Sequence, residues 1–584
     1  MTSLLRRGRV VAAGVFFAVL AVRGAYLISL SRTPLSLWHL WAETDEWGYV
    51  DWSAHLAAGN WRDVPPWRSY FSWQTGYGSP EVWEGWYQKN AYFSGPLYPY
   101  GLAVLRLAFG SPVWPARILQ LLLACLASAA VALAVFGIGG GREEKDFLRR
   151  GKEGGGAPTG APRRWVAAAA VAAGLLYGLY GPLVFHDGFL LRDGPVAHLS
   201  TLLLVWPLLA RRFEENEEKI SLKGEEGTAA RGVWSPLFLG LLGGAAILLK
   251  QTVAPLALAS LYCVSSYSPS KKSPGGAQRR SLVLYGLLGL SLPISLLCIR
   301  NVSAGVPPLT FDTRQAIGLV WGNAEGADGS TSSPASMGEI LAEAKGSTLR
   351  TARLVLESYR EAPLGLPKLV LKKFATFWNA FEVPDNANFY FFRDRLRLLR
   401  VLPVFSCLLG VGLVGLFGAL SRGVLRKEEG ALAAVAILVP LAACLLVQTT
   451  SRYRAAMAGP LALGAGLFLL FTFKEIQARR FRAVCLLALT VGALSLLPLL
   501  PSTIPAGHHR FADALVYATL VEAKVSPAAG AAEIDRYLAE GADDRDRDTG
   551  VGAARAWLES GDRSNIGLMP EGVAPKEQRF RKKD

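Results

Sequence analysis

Cysteine is scarce in this chain, six among 584 residues, and none of the six shows the spacing of a metal or redox site. Cys125, Cys263, Cys298, Cys407, Cys444 and Cys485 fall in or at the ends of apolar blocks, where a free thiol behaves as a small buried hydrophobe. Disulfides are therefore not expected, and loops outside the membrane must be held by packing alone. Charge is thin as well. With 18% charged residues, 51% hydrophobic ones and a mean hydropathy of +0.28, the chain is too apolar and too unevenly patterned for one soluble domain.

What is present instead is a series of apolar blocks near the length, about 20 residues, that a helix needs to cross a hydrocarbon core of roughly 30 Å. About eleven occur, near 9–30, 117–137, 165–184, 194–210, 234–249, 251–265, 281–299, 400–420, 431–449, 455–473 and 483–500. The pair 234–249 and 251–265 is short and separated only by Lys250. One continuous helix would also fit there, and would change the parity of the count. The expected fold is an all-α integral membrane protein of about eleven transmembrane helices, with 1–500 as its membrane domain and 501–584 as a polar C-terminal tail holding one or two short helices around 530–560.

Lysine and arginine mark cytoplasmic loops. Arg6, Arg7 and Arg9 precede the first block and place the N-terminus inside; eleven spans then put 138–164, 211–233, 266–280, 421–430 and 474–482 inside, and these are the basic loops. The tail falls outside, in a multi-pass protein of the cell membrane (inner or plasma). The first block runs from Val10 to Leu30 with no clean small-x-small site after it, so a retained signal anchor is expected rather than a cleaved signal peptide. The net charge of +16 is accounted for by topology and by contact with the headgroups of the lipid bilayer. No nucleic-acid partner is expected.

Residues 31–96 of the first outside loop, 31–116, are rich in tryptophan: Trp38, Trp41, Trp47, Trp52, Trp61, Trp67, Trp73, Trp83 and Trp86. Such a loop is expected to lie at the headgroup level. Its run PLYPYGLAVLRLAF, 96–109, is too short to cross and is expected as an interfacial helix. A second large outside loop, 300–399, ends in KLVLKKFATFWNAFEVPDNANFYFFR, where Lys372 and Lys373 among Phe and Trp point to another juxtamembrane helix.

The stretch TDEWGYVDWSAHLAAGNW after the first block, then YFSGPLYPYGLAVLRLAFG, then ARILQLLLACLASA, resembles the membrane-embedded C-class glycosyltransferases related to protein O-mannosyltransferases and lipid A aminoarabinose transferases. The resemblance covers roughly 10–475 and lies in the order of its pieces. These are Asp45-Glu46 in the first outside loop, the Pro96–Pro99 segment, Asp193 after the third span, Arg300-Asn301, and GNAEGADG at 322–329. It implies an inverting enzyme that moves a sugar from a polyprenyl-phosphate donor to an acceptor hydroxyl at the outer face, the acceptor being protein, lipid or glycan. The aminoarabinose branch carries a lysine in the segment matching YFSGP; here Ser94-Gly95 stands there, with Lys89 nearby.

That chemistry asks for a carboxylate to take the acceptor proton and for cations to hold the departing phosphate. Asp45 is the candidate base, with Glu46 and Asp193 beside it as catalytic candidates. Asp45 also fits as a cap of a helix beginning at Glu46, with Thr44 as a further capping option. Asp193 also fits as a helix cap or as the ion-pair partner of Arg192 or Arg117. Lys89, Arg117, Arg300, Asn301, Arg452 and Arg454 are the candidates for substrate and phosphate, and each arginine equally fits snorkelling to headgroups. His186 beside Asp187 lacks a third convergent ligand, so no metal and no cofactor is expected. The Gly-rich stretch 151–161 follows no strand and is a linker.

Three rivals stay in view, one of them a non-catalytic membrane scaffold, which would place no demand on Asp45. An envelope polysaccharide polymerase or ligase would rely on an outside Arg/His loop more than on a first-loop carboxylate. A transporter or flippase would show repeated halves and broken helices near mid-bilayer.

Overall fold

A computed structural model describes residues 2–64, 77–88, 90–152, 161–221, 231–266, 276–331, 334–502, 504 and 510–539. Among these the chain is helical, without β-strand. In lipid every backbone polar group must find its partner within the chain, and a helix satisfies this locally. Seven helices are long and apolar enough to cross: Arg6–Ser31, Val113–Gly140, Asp193–Arg211, Arg280–Ser303, Lys427–Leu446, Ser451–Gln477 and Phe481–Leu499. The chain is an all-α multi-pass membrane protein.

The expected count of about eleven is corrected by the remaining blocks. Arg164–Gly178 and Gly181–Asp187 meet at a 48° bend and count as an eighth span only if taken together. Gly181 at this bend donates its N–H to Pro403 O at 2.8 Å, so the break is satisfied by another loop. Ser235–Leu249, Gln251–Ser265 and Phe405–Ser421 are 17 residues or shorter, at most about 26 Å of helix. The first two are separate helices broken at Lys250, not one continuous rod.

Close backbone approach through small residues packs the bundle. A Cβ on Gly240 would lie 2.1 Å from Gly286 O, and one on Gly289 2.2 Å from Leu237 O. Likewise a Cβ on Gly415 would lie 1.7 Å from Gly464 O. The bundle has two chemically distinct ends. At one, Arg211 Nη1 meets Glu429 Oε1 at 2.5 Å and Trp165 packs on Phe473 at 4.3 Å, joining the margins of the basic loops. Asp193 begins the helix that carries Arg211, 18 residues or about 27 Å away, so the carboxylates of interest belong to the other end.

At that end the aromatic loop is folded into protein. Trp38, Trp47, Trp52, Trp83 and Trp86 are buried within the protein; Trp67 and Trp73 lie outside the described residues. The apolar run forms the helix Leu97–Phe109, with Val104, Leu107 and Phe109 exposed. Helix Pro80–Tyr87 joins Gln315–Asn323, Met337–Ala344 and Thr348–Glu357 of the second loop around a separate core of Trp83, Trp86, Val320 and Leu341. Of the expected tail helices around 530–560, the part from 540 on lies outside the described residues. Arg510–Lys524 and Pro527–Ala539 form a helical hairpin whose Val516, Leu520, Val521, Ile534 and Tyr537 enter the main core.

Candidate functional site

Arg452, in the first turn of Ser451–Gln477, lies between three carboxylates. Its Nη1 is 2.7 Å from Asp45 Oδ2 and 3.6 Å from Asp193 Oδ2, and its Nε is 2.6 Å from Asp385 Oδ2. Arg314 pairs with the other oxygen of Asp45. Lys250 donates to Asp193 Oδ1 at 2.8 Å and stands 3.5 Å over the Tyr453 ring. Asn386 completes the group: its Oδ1 accepts from the Asp45 N–H at 2.7 Å and its Nδ2 donates to Asp45 Oδ2 at 3.3 Å. The side chains of Arg314 and Asp385 keep 20% and 16% exposure against 5% for Asp45, so the approach to the cluster lies on their side.

Local structure explains each placement. Thr44 caps the helix Asp45–Ala57 by accepting from Trp47 N at 3.2 Å, so Asp45 is its first residue and not the cap that the sequence also allowed. Asp193 likewise opens Asp193–Ser221, where a negative charge suits the helix dipole. Lys250 sits in the break between two half-length helices. That turn packs on Gly95, where a Cβ would stand 2.2 Å from Leu249 O and 2.8 Å from Arg192 Nη1; the glycine lets the Lys250 turn approach. Ser94 bonds Tyr49 OH at 2.9 Å.

Burial alone would raise the Asp45 carboxyl, but the Arg314 and Arg452 guanidiniums outweigh it and hold Asp45 well below the usual carboxylate range. Burial pushes Asp385 up against the pull of Arg452. Asp45 is therefore a firm anion so long as its arginines stay, and Asp385 the more proton-ready neighbour.

The other candidates lie elsewhere. Glu46 turns away to accept from Leu190 N at 2.9 Å, with Arg117 at 3.7 Å; burial outweighs that arginine and pushes its carboxyl up to about 7. Arg117 donates twice to Ser36 O, each at 3.1 Å. Arg300 donates to Asn90 O at 2.7 Å and to Arg62 O, and stacks 4.0 Å over Tyr92. Asn301 ties the turn at Pro308 and Thr310. Arg454 donates to Phe377 O at 3.0 Å, Asn379 O at 2.5 Å and Phe381 O at 2.9 Å, and pairs with Glu382 at 2.9 Å. These four hold loops together. Lys89 lies outside the described residues. His186 is 3.4 Å from Ser451 Oγ, while Asp187 pairs with Arg23 and with His198 at 2.9 Å. Among the described residues no set of three or more His, Cys, Asp or Glu is arranged to hold a metal ion.

Sequence reasoning missed four members. Lys250 was visible only as an interruption between short spans. A charge at such a break is its own signal, since a lysine there needs a buried partner. Asp385 and Asn386 lie in PDNAN, a turn-forming run after an aromatic helix, and Arg314 in a stretch without periodicity.

The class defined so far is an all-α polytopic membrane protein with a shared carboxylate and guanidinium cluster at one end of its bundle. No family model matches the chain, and no curated protein matches it. Among solved structures the chain is similar to the Archaeoglobus fulgidus oligosaccharyltransferase in its apo form, at 15% identity and a TM-score of 0.41, covering 86% of this chain and 58% of that one. It is also similar to that enzyme tethered through a disulfide to an acceptor peptide containing the NVT sequon, at 14% identity and a TM-score of 0.38, covering 86% of this chain and 57% of that one. The chain thus spans less than two thirds of the length of the structures it matches.

Proposed function

We propose that this protein is an inverting glycosyltransferase that moves a sugar from a polyprenyl-phosphate donor to an acceptor hydroxyl at the outer face of the membrane. One observation carries the reading: Asp45, Asp193 and Asp385 come from three separate segments and share Arg314, Arg452 and Lys250 at one end of an apolar bundle. A lipid-borne phosphate presents its charge at such a boundary. The acceptor oxygen attacks the anomeric carbon, the bond from that carbon to the phosphate oxygen breaks, and the phosphate leaves with the electron pair. Arg314, Arg452 and Lys250 stabilise that growing charge.

The cations that depress Asp45 are the same ones a phosphate would engage. As phosphate oxygens draw Arg314 and Arg452 away, Asp45 loses its compensation and its pKa rises. It then accepts the acceptor proton. Donor binding thereby switches on the base, and Asp193 keeps Lys250 in place.

The test uses purified full-length protein in lipid with radiolabelled undecaprenyl-phosphoryl sugars, hexose and pentose in parallel, and follows release of undecaprenyl phosphate and free sugar, water taking the place of the acceptor hydroxyl. Wild type releases it, and Asp45→Asn slows release by about 10²–10⁴-fold. Release by Asp45→Asn at the wild-type rate would remove the base from this mechanism.

A further inference from the structure

The loop that carries Asp385 and Asn386 has no regular secondary structure between Trp378 and Phe389, yet it must hold both side chains on the cluster. Trp38 Nε1 donates to Asn386 O at 3.3 Å and the Ala380 N–H to Pro498 O at 2.9 Å, and three further fastenings hold it. Arg454 ties Phe377, Asn379, Phe381 and Glu382, and Ser451 N donates to Val383 O at 3.0 Å. The third comes from the far end of the sequence. Asp513, 1% exposed in the first turn of the C-terminal hairpin, accepts the Asn388 N–H at 3.1 Å. Asn388 in turn caps the helix Phe389–Arg395 by accepting from Tyr390 N and Phe391 N. Two residues before it, Asn386 grips Asp45 through both its N–H and its carboxylate.

The hairpin is seated well enough to do this. Tyr517 packs on Phe391 at 5.7 Å, Arg395 lies 4.7 Å over Tyr517, and Arg395 pairs with Glu533 at 3.2 Å. A buried carboxylate accepting a backbone N–H is a strong fixed point, because leaving either group unpaired inside is costly.

We propose that Asp513 is a positioning residue for the cluster: from the C-terminal hairpin it fixes the loop that brings Asn386 to Asp45 and Asp385 to Arg452. Its kinetic consequence rests on the glycosyl-transfer reading above, whereas its structural consequence does not.

The experiment compares amide hydrogen exchange in full-length wild type, Asp513→Ala and Asp513→Asn. The Asn388 amide reports the direct bond. The Asp45 amide, held by Asn386, reports transmission into the site, which a contact serving only the hairpin would leave alone. Asp513→Ala speeds both by roughly tenfold, while peptides around Arg211 and Glu429 at the other end keep their wild-type rates. Asp513→Asn retains an acceptor oxygen and stays near wild type. In donor turnover Asp513→Ala lowers kcat and leaves KM for the undecaprenyl-phosphoryl sugar unchanged. If Asp513→Ala does not fold, Glu533→Ala, which loosens the seat from a partly exposed position, is read in the same way. An unchanged Asp45 amide, or equal acceleration at both ends of the bundle, overturns the proposal. Absence of turnover in wild type would sink the glycosyl-transfer reading alone, and the exchange rates would still decide this one.

Discussion

Arg452 and Arg454 leave the same short helix two residues apart and end in opposite chemistry. Arg454 is surrounded by backbone carbonyls and one carboxylate, Glu382, which also accepts from Tyr180 OH at 3.4 Å. Arg452 is surrounded by carboxylates that other cations also serve: Arg314 on Asp45 and Lys250 on Asp193. A guanidinium bound to carbonyls is a clamp, because no incoming anion can replace those partners without orphaning them. A guanidinium shared among carboxylates can exchange one anion for another at small net cost. The same distinction separates Arg300 and Arg117, both tied to carbonyl oxygens, from Arg314.

The largest effect that would break this comparison is on folding. Arg454→Ala strands Glu382 and three carbonyls, and should destabilise the protein by about 3–5 kcal/mol, seen as loss of monodisperse protein after extraction or a large drop in Tm. A well-behaved Arg454→Ala protein of unchanged Tm would show that the clamp is dispensable.

Next in size is a pH effect at Glu46. Its carboxyl stands at about 7 against an ordinary 4.5, so the stability tied to its neutral form is complete below about 4.5 and is lost as pH rises through about 7. The loss is on the order of 3 kcal/mol. Glu46→Gln should therefore lose less Tm than wild type between about pH 5 and 8. Parallel pH curves for the two proteins would contradict the burial argument.

Smaller again, Arg300→Gln should cost about 1–3 kcal/mol of stability and leave affinity for undecaprenyl phosphate within about twofold of wild type. A loss of affinity beyond tenfold would move Arg300 from clamp to ligand.

The limits of legibility follow the same physics. The helical class and the positions of the apolar blocks follow from composition, because lipid allows few alternatives. Asp45, Asp193 and Arg452 stand out as charges beside apolar blocks, and they do meet. Arg300, Arg454 and Lys250 carry the same kind of local signal, and only tertiary contacts distinguish them. Whether a guanidinium faces carbonyls or carboxylates depends on how loops hundreds of residues apart fold over it. Arg314 and Asp385 come from the long second loop, whose path is set by a core shared with Trp83 and Trp86. The hairpin was hidden for a different reason: Val516, Leu520 and Val521 are spaced as an amphipathic helix within a polar segment, and nothing local names its partner.

The central claim is that Asp45 and the donor phosphate compete for the same cations. It is tested most directly by the affinity of Asp45→Asn for undecaprenyl phosphate, measured beside wild type and Arg314→Gln on folded protein. Removing the Asp45 charge frees Arg314 and Arg452, so Asp45→Asn should bind the lipid phosphate more tightly than wild type, by roughly tenfold, while Arg314→Gln binds it more weakly. Asp45→Asn binding no tighter than wild type would contradict the exchange and leave Asp45 as a structural partner of its arginines.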